Sequence, residues 1–327
     1  MKYYKIFLCI ITSLKFVYAQ QQATITSTGK KVVLFDDGTW KFADSIPFYG
    51  IKPVFINNLH LPYVKQTDFV VHHTGFSLFF NQLNKQAHWV AYTLTKDKTI
   101  KSFERTNKFL PDPKIKSETA NNNDYTNSGF DRGHLAPAAD MAWSEKAMTE
   151  SFYFSNISPQ VPAFNRGIWK KLEEQFRLWA ADNDTVYIAT GPILSSALNT
   201  LGSSNVSIPE YFYKIILDYT EPDIKAIGFI LPNKASSEPL QKFAVTIDSI
   251  ESVTGIDFYY QLPDEHEKII ESTLCLPCWN WKDKFVDKTI NDSEKNNSIS
   301  VQCSGITKSG NRCKRFTSNK NGRCYEH

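Results

Sequence analysis

Asp131-Arg132-Gly133-His134, inside the run NSGFDRGHLAPAAD (residues 127–140), sets an imidazole, a guanidinium and a glycine side by side. An imidazole titrates near neutral pH and suits a general base. A guanidinium offers a planar fork that matches phosphate oxygens. Gly133 permits a turn or the close approach of a ligand. Read alone, a loop histidine of this kind is more often structural than catalytic. A second stretch, SNISPQVPAFNRGIWKKLEEQFR (155–177), supplies amide oxygens at Asn156 and Asn165. Asn165, Trp169, Glu173 and Arg177 recur every four residues, so they follow one drifting stripe of a helix expected over 165–181. That stripe joins an oxygen ligand, a carboxylate and a guanidinium. The plainer reading is a solvated face with a Glu173–Arg177 pair.

Together the two stretches resemble the DNA/RNA non-specific endonuclease family, the ββα-metal (His-Me finger) group that includes endonuclease G-like and secreted bacterial nucleases. The resemblance rests on DRGH (131–134), Asn156 in SNISPQ and FNRGIWKKLE (164–173). It continues in TGPIL (190–194), IPEYFYKII (208–216) and LPNK (231–234), and covers roughly residues 50–272. It implies an α+β fold with a ββα-metal core on a mainly antiparallel sheet. It implies that His134 is the general base toward water and that Asn165 is the one direct protein ligand of Mg2+ (or Mn2+). Such a site is physically reasonable, because magnesium keeps several waters when bound. Glu173 would orient water on the metal. Arg132, Arg177 and, by a looser match in KSFERTNKFLPDP, Arg105 would face the phosphate, with Asn156 a further substrate contact. The implied activity is cleavage of DNA and RNA to 5′-phosphate ends. Phosphate contacts carry no sequence information, which predicts weak sequence preference. The alternative is a decayed nuclease that binds nucleic acid through its tail.

These residues need a scaffold, and the pattern supplies one. HWVAYTLT (88–95), TVYIATGPIL (185–194), YFYKIILDY (211–219) and IKAIGFILP (224–232) read as strands rich in β-branched and aromatic residues. Ile168, Leu172, Phe176 and Trp179 give the 165–181 helix an apolar stripe, and 237–254 reads as a second helix stopped by Gly255. Strands in adjacent runs favour α+β. KVVLFDDGTWKF (31–42) reads as an N-terminal hairpin (segment 20–49) turning at Asp37-Gly38, with Phe35 opposite Trp40 and Val33 opposite Phe42.

The ends carry other signals. Residues 1–19 read as a signal peptide, with Lys2 and Lys5 before an apolar run, which predicts a secreted or periplasmic protein without a membrane anchor. The chain holds 37 basic and 34 acidic residues. Losing Lys2, Lys5 and Lys15 with the leader leaves 34 of each, so attraction to a polyanion must be local. Residues 273–302 read as a linker bearing Cys275-x-x-Cys278, a local disulfide by preference, with structural thiols or a metal half-site as alternatives. In 303–327, Cys303, Cys313, Cys324 and His327 make a Cys3His zinc set, with oxidised cysteines as the alternative. Lys308, Arg312, Lys314, Arg315, Lys320 and Arg323 against Glu326 make the tail a candidate clamp on nucleic acid or a plain basic cap. A homodimer is compatible with all of this.

Overall fold

The computed structural model describes residues 22–25, 31–34, 40–42, 48, 51–66, 68–221, 224–282, 301–302, 304, 313 and 316–317. The chain divides into two units, 1–282 and 283–327.

The first unit opens with a three-stranded antiparallel sheet of β1 (Gln22–Ile25), β2 (Lys31–Leu34) and β3 (Trp40–Phe42). Leu34 pairs with Trp40 and Val32 with Phe42. The register is therefore one residue away from the expected Phe35–Trp40 and Val33–Phe42 pairs. It is centred on residue 37, whereas a two-residue turn at Asp37-Gly38 would centre it between those two residues.

The main sheet begins with β4 (Val70–His72), β5 (Ser77–Asn81) and β6 (Gln86–Thr95). The chain leaves it through the short α1 (Asn122–Tyr125), β7 (Asp131–His134), α2 (Glu145–Ser151) and β8 (Ile157–Gln160). It passes along α3 (Lys170–Asp182) and re-enters as β9 (Thr185–Pro192). A small pair, β10 (Thr200–Leu201) and β11 (Val206–Ser207), precedes β12 (Tyr211–Asp218), β13 (Lys225–Pro232) and β14 (Ala244–Val245). The seven-stranded order is β14-β13-β12-β9-β6-β5-β4, with every pairing antiparallel. The α+β expectation holds, and so do the four main strands.

Strand alternation explains why both faces are apolar. On β12, Phe212 and Ile216 join Leu172, Phe176 and Trp179 of α3. Tyr213, Ile215 and Leu217 point the other way, toward α4 (Ile247–Thr254) and α5 (Asp264–Ser272), whose Ile247, Ile250 and Ile270 cover them. Each fully buried Leu, Ile or Phe contributes about 1.5–3 kcal/mol.

Three expectations need correction. The 165–181 helix is broken: Phe164–Trp169 forms a π-helical turn with Gly167 at φ −105°, ψ −111°, and the regular helix starts at Lys170. The 237–254 helix is only Ile247–Thr254, because Ala244 and Val245 pair with β13 and Thr246 caps the helix by accepting from the Ser249 N–H (3.2 Å). Gly255 ends it at φ +68°, a left-handed conformation that favours glycine. Residues 273–282 are part of the body rather than a linker. Trp279 is buried against Trp179 (ring centroids 4.5 Å), and the Asn280 carbonyl accepts from Gln175 Nε2 (2.9 Å) and Trp179 Nε1 (2.6 Å). Cys275 and Cys278 form a disulfide.

In the second unit, Val301–Gln302 pairs with Phe316–Thr317, and Gln302 Nε2 donates to the Cys313 carbonyl (3.1 Å). Cys313 is buried. Cys303, Cys324 and His327 lie outside the described residues, as does the leader, residues 1–19. Among the described residues no helix is long and apolar enough to cross a membrane.

Candidate active site

Strands β7 and β8 and the turn leading into α3 form a strand–strand–helix unit. The register sets Asp131 against Gln160, Gly133 against Ser158 and His134 against Ile157. Any larger residue at position 133 would displace Gln160, because a Cβ there would lie 2.2 Å from its side chain. Asp131 fastens the strand to the helix entry. It accepts from Asn165 Nδ2 (2.9 Å), Arg166 Nε (2.8 Å) and Arg166 Nη2 (2.6 Å). Burial opposes its ionisation, but the bonds from Arg166 and Asn165 hold its carboxyl below the ordinary value. With Nδ2 committed to Asp131, the Asn165 amide keeps its acceptor, Oδ1, for a ligand.

His134 stands between Phe152 (ring centroids 4.6 Å) and Phe109 (5.7 Å). Its Nε2 is buried and has no hydrogen-bond partner among the described residues. Burial, reinforced by the Arg105 guanidinium, pushes it down to about 3. It is thus neutral at physiological pH and able to accept a proton. Arg132 and Arg105 bracket the same rings: Arg132 Cζ sits 4.7 Å from the Phe109 centroid, and Arg105 Cζ sits 5.0 Å from that of Phe152. Arg132 also donates to Asn122 Oδ1 (2.6 Å).

Beneath lies a network of buried charge. Arg177 Nη1 donates to Asp140 Oδ1 (2.7 Å), and the Tyr92 hydroxyl donates to Asp140 Oδ2 (2.7 Å). Burial works against the Arg177 cation, yet Asp140 and Glu173 raise it above its ordinary value. Lys214 is fully buried among the rings of Tyr92, Trp169 and Phe176, and its Nζ donates to the Leu135 carbonyl (3.5 Å). Burial lowers Lys214, with Glu173 and Asp140 opposing. Burial raises Glu173 above the carboxylate range, while Lys214 and Arg177 pull it back. A cavity of about 330 Å³ lined by Thr99, Lys101, Arg105, Ala138, Met148 and Arg177 opens beside this network.

The anticipated residues therefore separate. His134, Arg132 and Arg105 share one aromatic cradle. Asn165 is tied to the same strand through Asp131, and Arg177 with Glu173 forms the charged floor. The Glu173–Arg177 ion pair is replaced by Arg177–Asp140. Asn156 is not a substrate contact. It is fully buried, accepts from the Ala136 N–H (2.9 Å), and donates to the carbonyls of Ala136 (2.9 Å) and Ser151 (2.8 Å). All its amide atoms are spent on holding the turn that follows His134. The sequence reading missed Asp131 as the bolt, Lys214 as a buried cation, and Phe109 with Phe152 as the cradle. Lys214 had a signal, a lone charge inside the apolar run YFYKIILDY.

Comparison with known proteins gives the family of the chain. The DNA/RNA non-specific endonuclease family matches residues 61–265. Mouse mitochondrial nuclease EXOG is 34% identical over 208 residues, which is 58% of this chain and 56% of that protein. Human mitochondrial endonuclease G is 34% identical over 199 residues, which is 56% of this chain and 67% of that protein. The chain thus spans about half to two thirds of the length of these relatives. The crystal structure of the EndoG/EndoGI complex is similar with a TM-score of 0.59 and 30% identity, over 63% of this chain and 90% of that one. These relatives correct the secreted or periplasmic expectation, because both curated nucleases are mitochondrial proteins. The physical reason is that the first 19 residues are basic and carry no acidic residue, a composition common to secretory and mitochondrial targeting segments.

Proposed function

The chain belongs to the DNA/RNA non-specific endonuclease family, and from that premise we propose that it is a metal-dependent endonuclease that hydrolyses phosphodiester bonds in both DNA and RNA. The observation that carries this reading is the unpartnered, buried Nε2 of His134 on a strand bolted through Asp131 to Asn165.

His134, neutral and shielded by Phe109 and Phe152, takes a proton from the attacking water. Desolvation keeps it unprotonated until an anionic phosphate arrives, and that charge favours the imidazolium that forms. Arg132 and Arg105, stacked on the same two rings, orient the phosphate on either side of the imidazole. Arg177 is held by Asp140 and adds positive potential from the floor of the cavity. The donor set fits a hard cation: Asn165 Oδ1 is an uncommitted neutral oxygen, and Glu173 is a part-buried carboxylate nearby in the chain. A magnesium or manganese ion held by Asn165 would supply charge stabilisation at the phosphate. None of these groups reads a base edge, so cleavage is blind to sequence and to the sugar. The products carry 5′-phosphate ends. In the second unit, Cys303, Cys313, Cys324 and His327 hold zinc, which gives a short segment its folding energy.

A plasmid-nicking assay tests the reading. Wild type should nick with magnesium and stop with EDTA. His134→Ala should cut about 10²–10⁴-fold more slowly while keeping its melting temperature. A plasmid left intact by wild type with every divalent metal, or an undiminished His134→Ala, sinks the enzyme reading. Bound zinc that is unchanged in a chain ending at Lys282 would sink the zinc assignment.

A further inference from the structure

The sheet face opposite α3 holds a second concentration of acid. Asp248 and Glu251 stand three residues apart on α4 and so project from one side of it. Glu271 lies in the last turn of α5. One carboxylate oxygen from each of the three lies within 4.8 Å of the others. Glu271 is only 5% exposed, and its Oε1 is buried without a hydrogen-bond partner among the described residues. Glu251 spends Oε1 on the Phe258 N–H (2.7 Å). After burial itself, the groups acting on Glu271 are Glu251, Glu267, Asp248 and Asp257, all of one sign. Two helices thus converge three carboxylates, one with an orphan oxygen, where the strongest charges acting on Glu271 are all negative.

We propose that Asp248, Glu251 and Glu271 form a calcium site that ties α4 to α5, separate from the cleavage site on the other face. With one oxygen from each residue within 4.8 Å of the others, a single hard cation can touch all three carboxylates. Calcium takes six to eight oxygens in irregular geometry, and exposed Asp248 leaves one side open to water ligands. The donors are all carboxylates, a set that suits hard cations over zinc or copper.

Isothermal titration of calcium into the chelator-stripped full chain tests this. Asn165→Ala serves as the background, so that the proposed catalytic ligand contributes nothing. One calcium should bind per chain in that background. At about 100-fold excess over Kd the melting temperature should rise by about 5–10 °C. Adding Asp248→Asn or Glu271→Gln should abolish both responses. Asp248 is exposed, so its variant reports on binding without risk to the core. A calcium response that survives both substitutions, or none in the background, would overturn the site and leave a proton-held acid cluster.

Discussion

Glu173 and Glu271 are carboxylates packed against opposite faces of one sheet, and burial raises both. Their neighbours differ in sign. Glu173 faces Lys214, Arg177 and Arg105, with Asp140 as the second acid. The strongest charges acting on Glu271 are those of other carboxylates. Removing a charge from water is costly, and each region must offset that cost differently. The first does so with covalently attached cations, which fixes the charge pattern before any substrate arrives. In the second, the strongest charges acting on Glu271 are all negative, which leaves a proton or an ion from solution to offset them. The contrast shows why only the first can position a phosphate: its positive charge is permanent.

Three substitutions can break or sharpen this contrast. The largest effect should come from Lys214→Met, which removes the buried cation and leaves Glu173 and Asp140 less compensated. Stability by urea denaturation should fall by about 3–5 kcal/mol. Wild-type stability in this variant would mean that opposite charge does not hold the first region together. Asn156→Ala should cost about 1–3 kcal/mol, because it leaves the Ala136 N–H without an acceptor. Cleavage in this variant should fall through displacement of His134 rather than loss of a phosphate contact, so KM should change less than kcat. A rise confined to KM would restore Asn156 as a substrate contact. The last effect, opposite in sign, belongs to Glu271→Gln in chelator. A raised carboxyl destabilises the folded state progressively as pH climbs from its unfolded value near 4.5 toward about 9. The substitution should therefore stabilise at pH 8 and have no effect at pH 4. Equal melting curves at pH 8 would show that Glu271 is not strained by its neighbours.

The chemistry was more legible in the sequence than the geometry that holds it. His134, Asn165 and the arginines became candidates only through the family resemblance carried by DRGH and FNRGIWKKLE, since the residue types alone favoured a structural histidine. The four main strands were legible because β-branched and aromatic runs of that length have few other uses. Asn156 was misassigned because an amide in a polar run gives no sign of its burial; only the fold shows that its three hydrogen bonds close a turn. The break at Gly167 was hidden because helical spacing continues across it, and a π-type turn leaves the apolar stripe intact. Residues 244–245 were read as helix because local periodicity does not register a pairing with β13 more than a dozen residues away. CLPCWNW was read as linker from its proline and polar surroundings, although two tryptophans so close together were a signal of packing.

That last segment has a practical consequence. Trp179, near the end of α3, gives its indole proton to Asn280 and its ring to Trp279 and Trp281. Gln175, two residues before Arg177, donates to the same carbonyl and accepts from the Lys282 N–H (2.9 Å). A chain shortened to residue 272 would retain every residue assigned to cleavage and still expose a tryptophan face and strip two donors on α3 of their acceptor. Its failure would be mistaken for a catalytic defect. Lys282 is therefore the place to cut when isolating the nuclease body, and the seven-residue patch CLPCWNW serves as the outer brace of the helix that carries Glu173 and Arg177.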